Sequence, residues 1–168
     1  NPQHEVDLSA YWIGVYEVTA EVYKNCVTLG KCTVPSKTTE TWATYAVGGK
    51  DQHPINYVNW SQSESVCNWL GGDLPTEAQW EKAARGGCEV YAGKDCKASE
   101  VKYPWGNSAP VCGVNAVFGT GSGTCGEAAS TTHAAGSGSS QGASPYGAYD
   151  MSGNVWEWTK DWGDPFFY

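Results

Sequence analysis

The stretch from Gly147 to Trp162 constrains the fold of this chain more than any other part of the sequence, because it crowds tryptophans among carboxylate and amide side chains. If this stretch is extended, Trp156 and Trp158 lie on one face, while Val155 and Glu157 lie on the opposite face. Two neighbouring indoles bury a large apolar area, so their face is predicted to pack into a hydrophobic core.

Glu157 then lies beside a turn predicted at Gly153 and Asn154, on the side opposite to the indoles. Oxygen ligands gathered by a turn are what a hard cation such as calcium requires. The same residues also fit a turn and a strand whose carboxylates are simply solvated, since calcium loops usually carry more carboxylates than this stretch does. The residues alone leave both interpretations open.

A strong acidic balance limits the partners of the chain. It contains 18 Asp and Glu residues against 10 Lys and Arg residues, which gives a formal net charge of −8 at pH 7. An acidic chain without a basic run argues against nucleic acid and anionic membrane as partners. Its apolar runs are also far shorter than the roughly 20 residues that span a membrane. We therefore expect no nucleic acid partner and no membrane span.

The cysteines indicate an oxidising compartment. Six of the seven fall in three close pairs: Cys26 and Cys32, Cys88 and Cys96, and Cys112 and Cys125. The simple interpretation is three local disulfides, although six cysteines permit 15 connectivities. Cys67 stands apart in a helical pattern and is predicted to be a buried free thiol. Because disulfides persist outside the reducing cytosol, the expected location is secreted, extracellular or periplasmic.

Capping residues predict the first and last of three short helices. Thr19 N-caps a segment that stops at Gly30, and one face of this segment is apolar. Thr76 and Gln79 form a capping box, in which each side chain bonds to the backbone of the other residue. The helix that follows this box is predicted to end at Gly86, where a glycine can adopt the positive φ of a helix terminus.

A second helix is predicted between the other two, with Ser61 and Glu64 as its capping box. Alternating apolar residues predict short strands at residues 6–15 and 55–60. The length of 168 residues predicts a single domain, and the 21 Gly and 8 Pro residues predict much irregular backbone.

The motif S-P-Y-G-A-Y-D-M-S-G-N-V-W-E-W-T-K-D-W, at residues 144–162, resembles the signature of the formylglycine-generating enzyme, or sulfatase-modifying factor, family. Three further segments resemble the family in the same order: P-x-H-x-V with Y-E-V-T near the start, L-P-T-E-x-x-W-E-x-A-A-R-G-G from residue 74, and Y-P-W-G from residue 103. One departure is Asp73, where the family usually has a basic residue.

The resemblance implies an α+β fold related to C-type lectins, with short helices, a small antiparallel sheet and long loops. It implies one domain over residues 1–168, without the C-terminal catalytic segment of the family. It also implies one structural calcium ion, held by the side chains of Asn154 and Glu157 and by the backbone carbonyl of Val155. The indoles expected in the structural core are those of Trp80, Trp105, Trp156 and Trp158.

This sequence has no match to the catalytic residues of the oxidising members of the family. Those members hold copper with a cysteine pair that follows the G-N-V-W-E-W motif, and none of the seven cysteines matches that pair. His4, His53 and His133 do not have the spacing of an iron site with two histidines and a carboxylate. We therefore expect no catalytic residue here, and copper and iron are not supported.

Two functional hypotheses follow. In the first, the chain is a secreted, non-catalytic interaction or structural module, stabilised by calcium and able to form assemblies. In the second, it is part of a sulfatase-modifying-type oxidoreductase, dependent on copper or iron, whose C-terminal catalytic segment is absent from this chain. An R-G-G-S-W segment and a cysteine pair encoded beyond Tyr168 would favour the second hypothesis.

Both hypotheses predict that the face of Trp156 and Trp158 is partly uncovered, because the next segment of the family would cover it. The edge of the same strand would be unpaired, which invites pairing with another chain. We expect another protein chain as the partner, either the chain's own severed C-terminal portion or further copies in a symmetric or filamentous assembly. The alternative is that a shortened domain closes on its own Gly-rich loops as a monomer.

Overall fold

The computed structural model describes residues 6–91, 100–120, 123–124, 132–137 and 140–162 of the chain. Its α-helices are α1 (Ala20–Thr28), α2 (Trp60–Trp69) and α3 (Glu77–Arg85). Two 3-10 helices cover Cys88–Tyr91 and Ser140–Gly142. Long irregular segments join these elements, as the high glycine and proline content predicts. In the described ranges, every helix is too short or too polar to cross a bilayer.

Regular strand structure in the described ranges is confined to one hairpin. Strands β1 (Gly119–Thr120) and β2 (Gly123–Thr124) pair antiparallel. The segments predicted as strands at residues 6–15, 55–60 and 156–158 form no ladder, so the expected small antiparallel sheet is not found as a core element. The physical reason is that a strand needs a backbone partner along its length, and an alternating pattern does not supply one.

Local capping residues begin α1 and α3 where the sequence predicts them. The Thr19 hydroxyl accepts a hydrogen bond from the Val22 N–H, and Gly30 adopts a φ of 67° just after α1. At α3, the side chains of Thr76 and Gln79 form the predicted reciprocal box. Each of these bonds satisfies a backbone N–H that the helix itself leaves unpaired.

Asn59 caps helix α2, so the prediction of Ser61 and Glu64 as its capping box was wrong. The Asn59 side chain accepts a bond from the Gln62 N–H at 3.0 Å, and the Gln62 side chain accepts one from the Asn59 N–H at 3.0 Å. Gln62 is buried, and its amide also donates to the Val34 carbonyl at 2.9 Å. This additional bond ties the start of α2 to the loop after α1.

Two small clusters of buried side chains form the core of the described residues. The cluster around α1 and α2 contains Tyr23, Cys26, Cys32 and Val66. The cluster around α3 contains Ala83, Ala84, Ala148 and Met151. Alanine and cysteine bury little apolar area, so this core contributes less stability than one of the same number of large residues. Disulfides and hydrogen bonds between loops therefore hold much of the fold.

Cys26 and Cys32 form a disulfide inside the first cluster. Cys88 and Cys112 are also disulfide-bonded. The cysteines predicted to pair with them lie outside the described residues: Cys96 and Cys125. Cys67 is a free thiol of intermediate burial. The first local pairing predicted from spacing is thus present, and a thiol remains on α2.

The cap of α2 gives a direct test of the structure. Replacing Asn59 with Ala should lower the free energy of unfolding by about 1 kcal/mol, because an N–H in the first turn loses its acceptor. Ser61→Ala is the matched control and should change stability by less than about 0.5 kcal/mol, because Ser61 is an exposed residue inside the helix. Urea denaturation of both variants measures this difference, and a larger loss for Ser61→Ala would contradict the assigned cap.

Candidate functional site

The turn from Asp150 to Asn154 has a backbone that few residue types adopt. The φ angle is 58° at Asp150, 113° at Gly153 and 62° at Asn154. Positive φ is tolerated best by Gly, Asn and Asp. A Cβ at Gly153 would lie 2.2 Å from the Val117 carbonyl oxygen, so only glycine fits there. The Asn154 N–H donates to the same carbonyl at 2.8 Å, which fixes the turn against the Val117 backbone.

The segment after the turn, residues 155–162, is bonded to the elements around α2. The indole of Trp60 donates to the Thr159 carbonyl at 2.8 Å. In the other direction, the indole of Trp158 donates to the Val58 carbonyl at 3.0 Å. These two reciprocal bonds hold the segment in place, so the residues between the turn and Thr159 have a defined position.

An ion pair between Asp73 and Lys160 attaches the end of this segment to the entrance of α3. The Lys160 backbone N–H also donates to the Pro75 carbonyl at 2.8 Å. The hydrogen bond from Lys160 lowers the pKa of the Asp73 carboxyl. Asp73 is the residue at which the chain departs from the family pattern. The reversed charge is therefore balanced by a cation from the segment after the turn.

The carboxylate of Glu17 accepts hydrogen bonds from a side chain and from the backbone of this turn. One carboxylate oxygen, Oε2, accepts a bond from Asn154 Nδ2 at 2.8 Å, and the carboxylate also accepts one from the Val155 N–H. The other oxygen, Oε1, is buried without a hydrogen-bond partner. The Asn154 amide is held in turn by the His133 N–H, which donates to its Oδ1 at 2.9 Å. Glu17 thus has a fixed position and one unsatisfied oxygen.

Two further carboxylates lie near Glu17. The Gly136 N–H donates to Asp150 Oδ2 at 2.6 Å. The Trp80 indole donates to Glu157 Oε2 at 2.9 Å. Within the described ranges each of these carboxylates has one such donor, and no Lys or Arg there lowers the pKa of Glu17.

Burial makes all three carboxyls weaker acids than usual, and repulsion by neighbouring carboxylates adds to this effect for Glu17 and Glu157. Burial raises the pKa of Glu17 to about 9, and the charges of Asp150 and Glu157 add to this effect. Burial is also the main cause that raises the pKa of Asp150 and the pKa of Glu157. Glu157 as a whole residue is exposed although its carboxyl lies among neighbouring atoms, so we expect solvent to screen its charge more than that of Glu17 and its shift to be the weaker one. We refer to these three residues and Asn154 as the acidic centre.

The acidic centre carries the kind of donors that a hard cation takes. Carboxylate and amide oxygens are preferred by calcium, and the unpartnered oxygen of Glu17 offers a free ligand atom. As the side chains stand, no three His, Cys, Asp or Glu side chains in the described part of the chain lie close enough together to hold a metal ion. The donor types therefore fit calcium, and binding would require the carboxylates to move closer together. It would also require the Asn154 amide to turn, because its nitrogen faces Glu17 and its oxygen accepts the His133 N–H.

The sequence analysis predicted a functional role for some residues of this centre and not for others. It identified Asn154, Val155 and Glu157 and missed Glu17 and Asp150. Val155 meets the centre through its N–H, which bonds to Glu17. The signal that could have found Glu17 is its place in the Y-E-V-T segment that resembles the family. Asp150 lies in the main motif, but no role had been predicted for it.

A cleft of about 570 Å³ opens beside the acidic centre. Its walls are formed by residues 11–14 and 16–18, by parts of α2, by residues 70–75 and by residues 155–158. The aromatic side chains that line it include Trp12, Trp80, Trp156 and Trp158. Glu17 and Glu157 also reach it, whereas no Lys, Arg or His of the described residues lines it. The cleft is therefore aromatic and acidic.

Trp156 and Trp158 line this cleft and do not lie in the core, which corrects the prediction made from their spacing. Trp156 is 100% exposed and Trp158 is 49% exposed. An alternating pattern predicts which side chains share a face, but it does not say whether anything covers that face. The other two predicted core indoles, Trp80 and Trp105, are partly buried.

Part of the backbone along two walls of the cleft has no hydrogen-bond partner among the described residues. Within the part of the chain that the structure describes, the N–H groups of residues 156–159 donate no hydrogen bond, and the backbone groups of residues 11–14 make none. A row of free N–H and C=O groups is a template for pairing with another polypeptide. The cleft therefore offers both side chains and backbone to a ligand.

Cys67 also lines the cleft, and burial raises the pKa of its thiol. A thiol with a raised pKa forms little of the reactive thiolate at neutral pH. His53 lies elsewhere and shares a hydrogen bond with the Thr132 hydroxyl at 2.9 Å, while His133 contacts Asn154 through its backbone. His4 lies outside the described residues.

Comparison with known proteins identifies the family. Residues 1–166 match the profile described as the sulfatase-modifying factor enzyme 1-like domain. A formylglycine-generating enzyme of Thermomonospora curvata is 33% identical over 128 residues, which cover 70% of this chain and 36% of that protein. An inactive C-alpha-formylglycine-generating enzyme 2 of Bos taurus is 35% identical over 119 residues, covering 66% and 33%. A serine/threonine-protein kinase pkn1 of Chlamydia pneumoniae is 36% identical over 120 residues, covering 71% and 16%.

The chain spans about a third or less of the length of these relatives. Their names include an enzyme, an inactive homologue and a kinase, so a shared domain does not by itself define an activity. The family profile covers nearly the whole sequence, and all four motifs that carry the resemblance lie within it. The chain therefore belongs to the family of the sulfatase-modifying factor enzyme 1-like domain.

Proposed function

We propose that this chain is a non-catalytic interaction or structural module of its family, in which one structural calcium ion closes the acidic centre. The observation that carries the proposal is the buried oxygen of Glu17, which has no hydrogen-bond partner and lies near two more carboxylates. Buried ionised groups must be paired, so without a cation Glu17 keeps its proton, and a bound cation would take the place of that proton.

The ion would be held by oxygens from both ends of the chain. Glu17 and Glu157 provide carboxylates, and Asn154 and the Val155 carbonyl complete the set expected from the sequence. A bound calcium ion supplies positive charge and takes six to eight oxygen ligands, some of them from water. The role of these residues is structural, because they join the segment before α1 to the turn that positions the cleft.

The state of the cysteines supports a non-catalytic role. Cys67 is the one free thiol among the described residues, and its raised pKa disfavours the thiolate that binds metals or attacks substrates. Cys26 and Cys32 are joined to each other in the core. The relative from Bos taurus that is named inactive is consistent with loss of catalysis in this family.

The open cleft supports another protein chain as the partner. Its aromatic side chains are exposed, and part of the backbone along its walls has no hydrogen-bond partner among the described residues. Both features are typical of a surface that another polypeptide covers, such as a separate C-terminal portion or another copy of the chain. The Cys26–Cys32 disulfide supports a secreted, extracellular or periplasmic location.

The alternative function is part of a sulfatase-modifying-type oxidoreductase that depends on copper or iron. The relatives named formylglycine-generating enzyme favour it, because this chain aligns with only 36% and 28% of two of them. In that case the catalytic residues belong to another part of the protein, and the cleft receives that part. An oxidation assay on a cysteine-containing peptide, with the full gene product and with this chain, separates the two functions.

Calcium should stabilise the folded chain. At a calcium concentration about 100 times the dissociation constant, the free energy of unfolding should rise by about 2.7 kcal/mol, which corresponds to an increase in Tm of about 5–10 °C. Differential scanning calorimetry of the metal-free chain, with and without added calcium, measures this increase.

Glu17→Gln should remove most of the calcium effect, because the amide cannot provide a charged ligand. Glu40→Gln is the matched control, since Glu40 is exposed and pairs only with Lys37; this variant should keep the full effect. A wild-type Tm that does not change with calcium, in protein shown to be metal-free, would contradict the proposed site.

The stability of the metal-free chain should fall as the pH rises. The folded-state pKa of Glu17 is about 9, against an ordinary value of 4.5. Between these two values the folded state keeps a proton that the unfolded state releases. The free energy of unfolding should therefore decrease over this range by at most about 1.4 kcal/mol per pH unit. The raised pKa values of Asp150 and Glu157 act in the same direction.

Urea denaturation at several pH values between 5 and 8.5, in the presence of a chelator, measures this dependence. Glu17→Gln should show a shallower slope, because the variant has no proton to release at this position. Stability that rises with pH over this range, or an unchanged slope in Glu17→Gln, would show that Glu17 is not a buried neutral acid in the metal-free state.

A further inference from the structure

We propose that a short strap over the acidic centre, residues 132–137, competes with calcium for the side chain of Asn154, so that binding of calcium detaches the strap from the centre. This inference rests on the proposed function, because it concerns how the same centre takes up its ion. The strap is attached in the metal-free chain, and in the calcium-bound chain the ion joins Glu17 to the turn at the expense of the strap.

Asn154 attaches the strap to the acidic centre through both ends of its amide group. Its Oδ1 accepts a hydrogen bond from the His133 N–H at 2.9 Å, and its Nδ2 donates one to the His133 carbonyl at 3.3 Å. The same Nδ2 donates to Glu17 Oε2 at 2.8 Å. These neighbours determine the orientation of the amide, because the opposite orientation would set its oxygen against a carboxylate and its NH2 group against an N–H.

A cation can use only the oxygen of this amide, because the Nδ2 of asparagine is a hydrogen-bond donor without acceptor capacity. Coordination beside Glu17 therefore needs the amide to turn, so that Oδ1 takes the place of Nδ2 on the side of the carboxylate. After this turn Nδ2 would face the His133 N–H, and two donors cannot bond to each other. The strap would lose both of its present bonds to Asn154, and this loss is the physical origin of the competition.

The other side of the strap is held by residues outside the acidic centre. The Ala135 N–H donates to the Gln52 carbonyl at 2.8 Å. The Thr132 hydroxyl shares a hydrogen bond of 2.9 Å with the ring of His53. The strap can therefore leave the acidic centre while these two bonds keep it attached to the rest of the fold.

Gly136 connects the strap to the wall of the cleft. Its N–H donates to Asp150 Oδ2 at 2.6 Å, and a Cβ at this position would lie 2.2 Å from Cε1 of the Tyr16 ring. Tyr16 lines the cleft, and its ring pairs with that of Tyr149 at a centroid distance of 5.5 Å. Detachment of the strap removes the packing on one side of Tyr16, so the state of the acidic centre reaches the wall of the cleft.

Gly136→Ala tests the competition, because it disfavours the attached strap and leaves the ligands unchanged. Gly136 has a φ of 70°, which a residue with a Cβ adopts only at a cost, and the added Cβ would collide with Tyr16. The free energy of detaching the strap reduces the affinity for calcium, so a chain with a weaker strap should bind calcium more tightly. We expect a dissociation constant about five- to tenfold lower, measured by calorimetric titration of calcium chloride into the chelator-stripped, full chain.

Gly30→Ala is the matched control for this variant. Gly30 has a nearly equal φ of 67° but follows α1, and apart from its chain neighbours no atom of the described residues lies within 4 Å of an added Cβ. The control introduces similar backbone strain away from the strap, so it should change the dissociation constant for calcium by less than about twofold.

Amide hydrogen exchange, followed by NMR on the wild-type chain, measures the strap directly. The His133 and Gly136 amides should exchange several-fold faster with calcium than with a chelator, because both lose acceptors in the acidic centre. The Asn154 amide is the internal control, since it donates to the Val117 carbonyl outside the strap, and it should not exchange faster.

Calcium binding that is weaker in Gly136→Ala than in the wild type, or equal within about twofold, would overturn the inference. Slower exchange of the His133 and Gly136 amides with calcium would also overturn it, since the cation would then close the strap. Either result leaves the calcium site in place, because the rise in Tm of the wild-type chain tests that site separately. A wild-type chain that shows neither binding heat nor a rise in Tm would overturn the proposed calcium site, and this inference with it.

Discussion

The two hydrogen bonds that reach Glu17 from Asn154 and Val155 hold the site together across most of the chain. They hold the Glu17 carboxyl away from water and near the carboxyls of Asp150 and Glu157. The turn that makes these bonds therefore also brings acidic groups together that repel each other when they are ionised. The cost is limited while Glu17 stays protonated, which its pKa of about 9 favours at neutral pH. The turn packs closely against the Val117 carbonyl, and a side chain at Gly153 would clash with that carbonyl.

Features that depend on neighbouring residues could be predicted from the sequence. The caps at Thr19 and Thr76 needed only the next few residues, because each cap bonds to an N–H in the first turn of its own helix. The box at the start of α2 was predicted two residues too late, at Ser61 and Glu64. It lies at Asn59 and Gln62, where Gln62 also bonds to the Val34 carbonyl outside the helix, a contact that the local pattern does not show.

Features that depend on distant residues could not be predicted in the same way. The alternation around Trp156 and Trp158 predicted that these two share a face, and both line the cleft, but Val155 and Glu157 line it as well. Burial depends on what packs against the indoles, and the described residues leave them open. Glu17 was missed for the same reason, since its partners are contributed by a turn near the other end of the chain. Asn154 lies in the Gly-Asn turn that the sequence predicts, and its φ of 62° is one that asparagine tolerates in such a turn.

The acidic centre and the cleft share one short piece of backbone, and this makes their properties interdependent. Val155 bonds to Glu17, and the next residue, Trp156, stands on the wall of the cleft. A proton or a cation that neutralises Glu17 lowers the free-energy cost of holding Glu17 against Val155. It therefore stabilises the position of Trp156 on the wall of the cleft. Thermodynamic linkage requires the reverse as well: a partner chain that covers this wall would favour the state of the acidic centre that holds the wall in position.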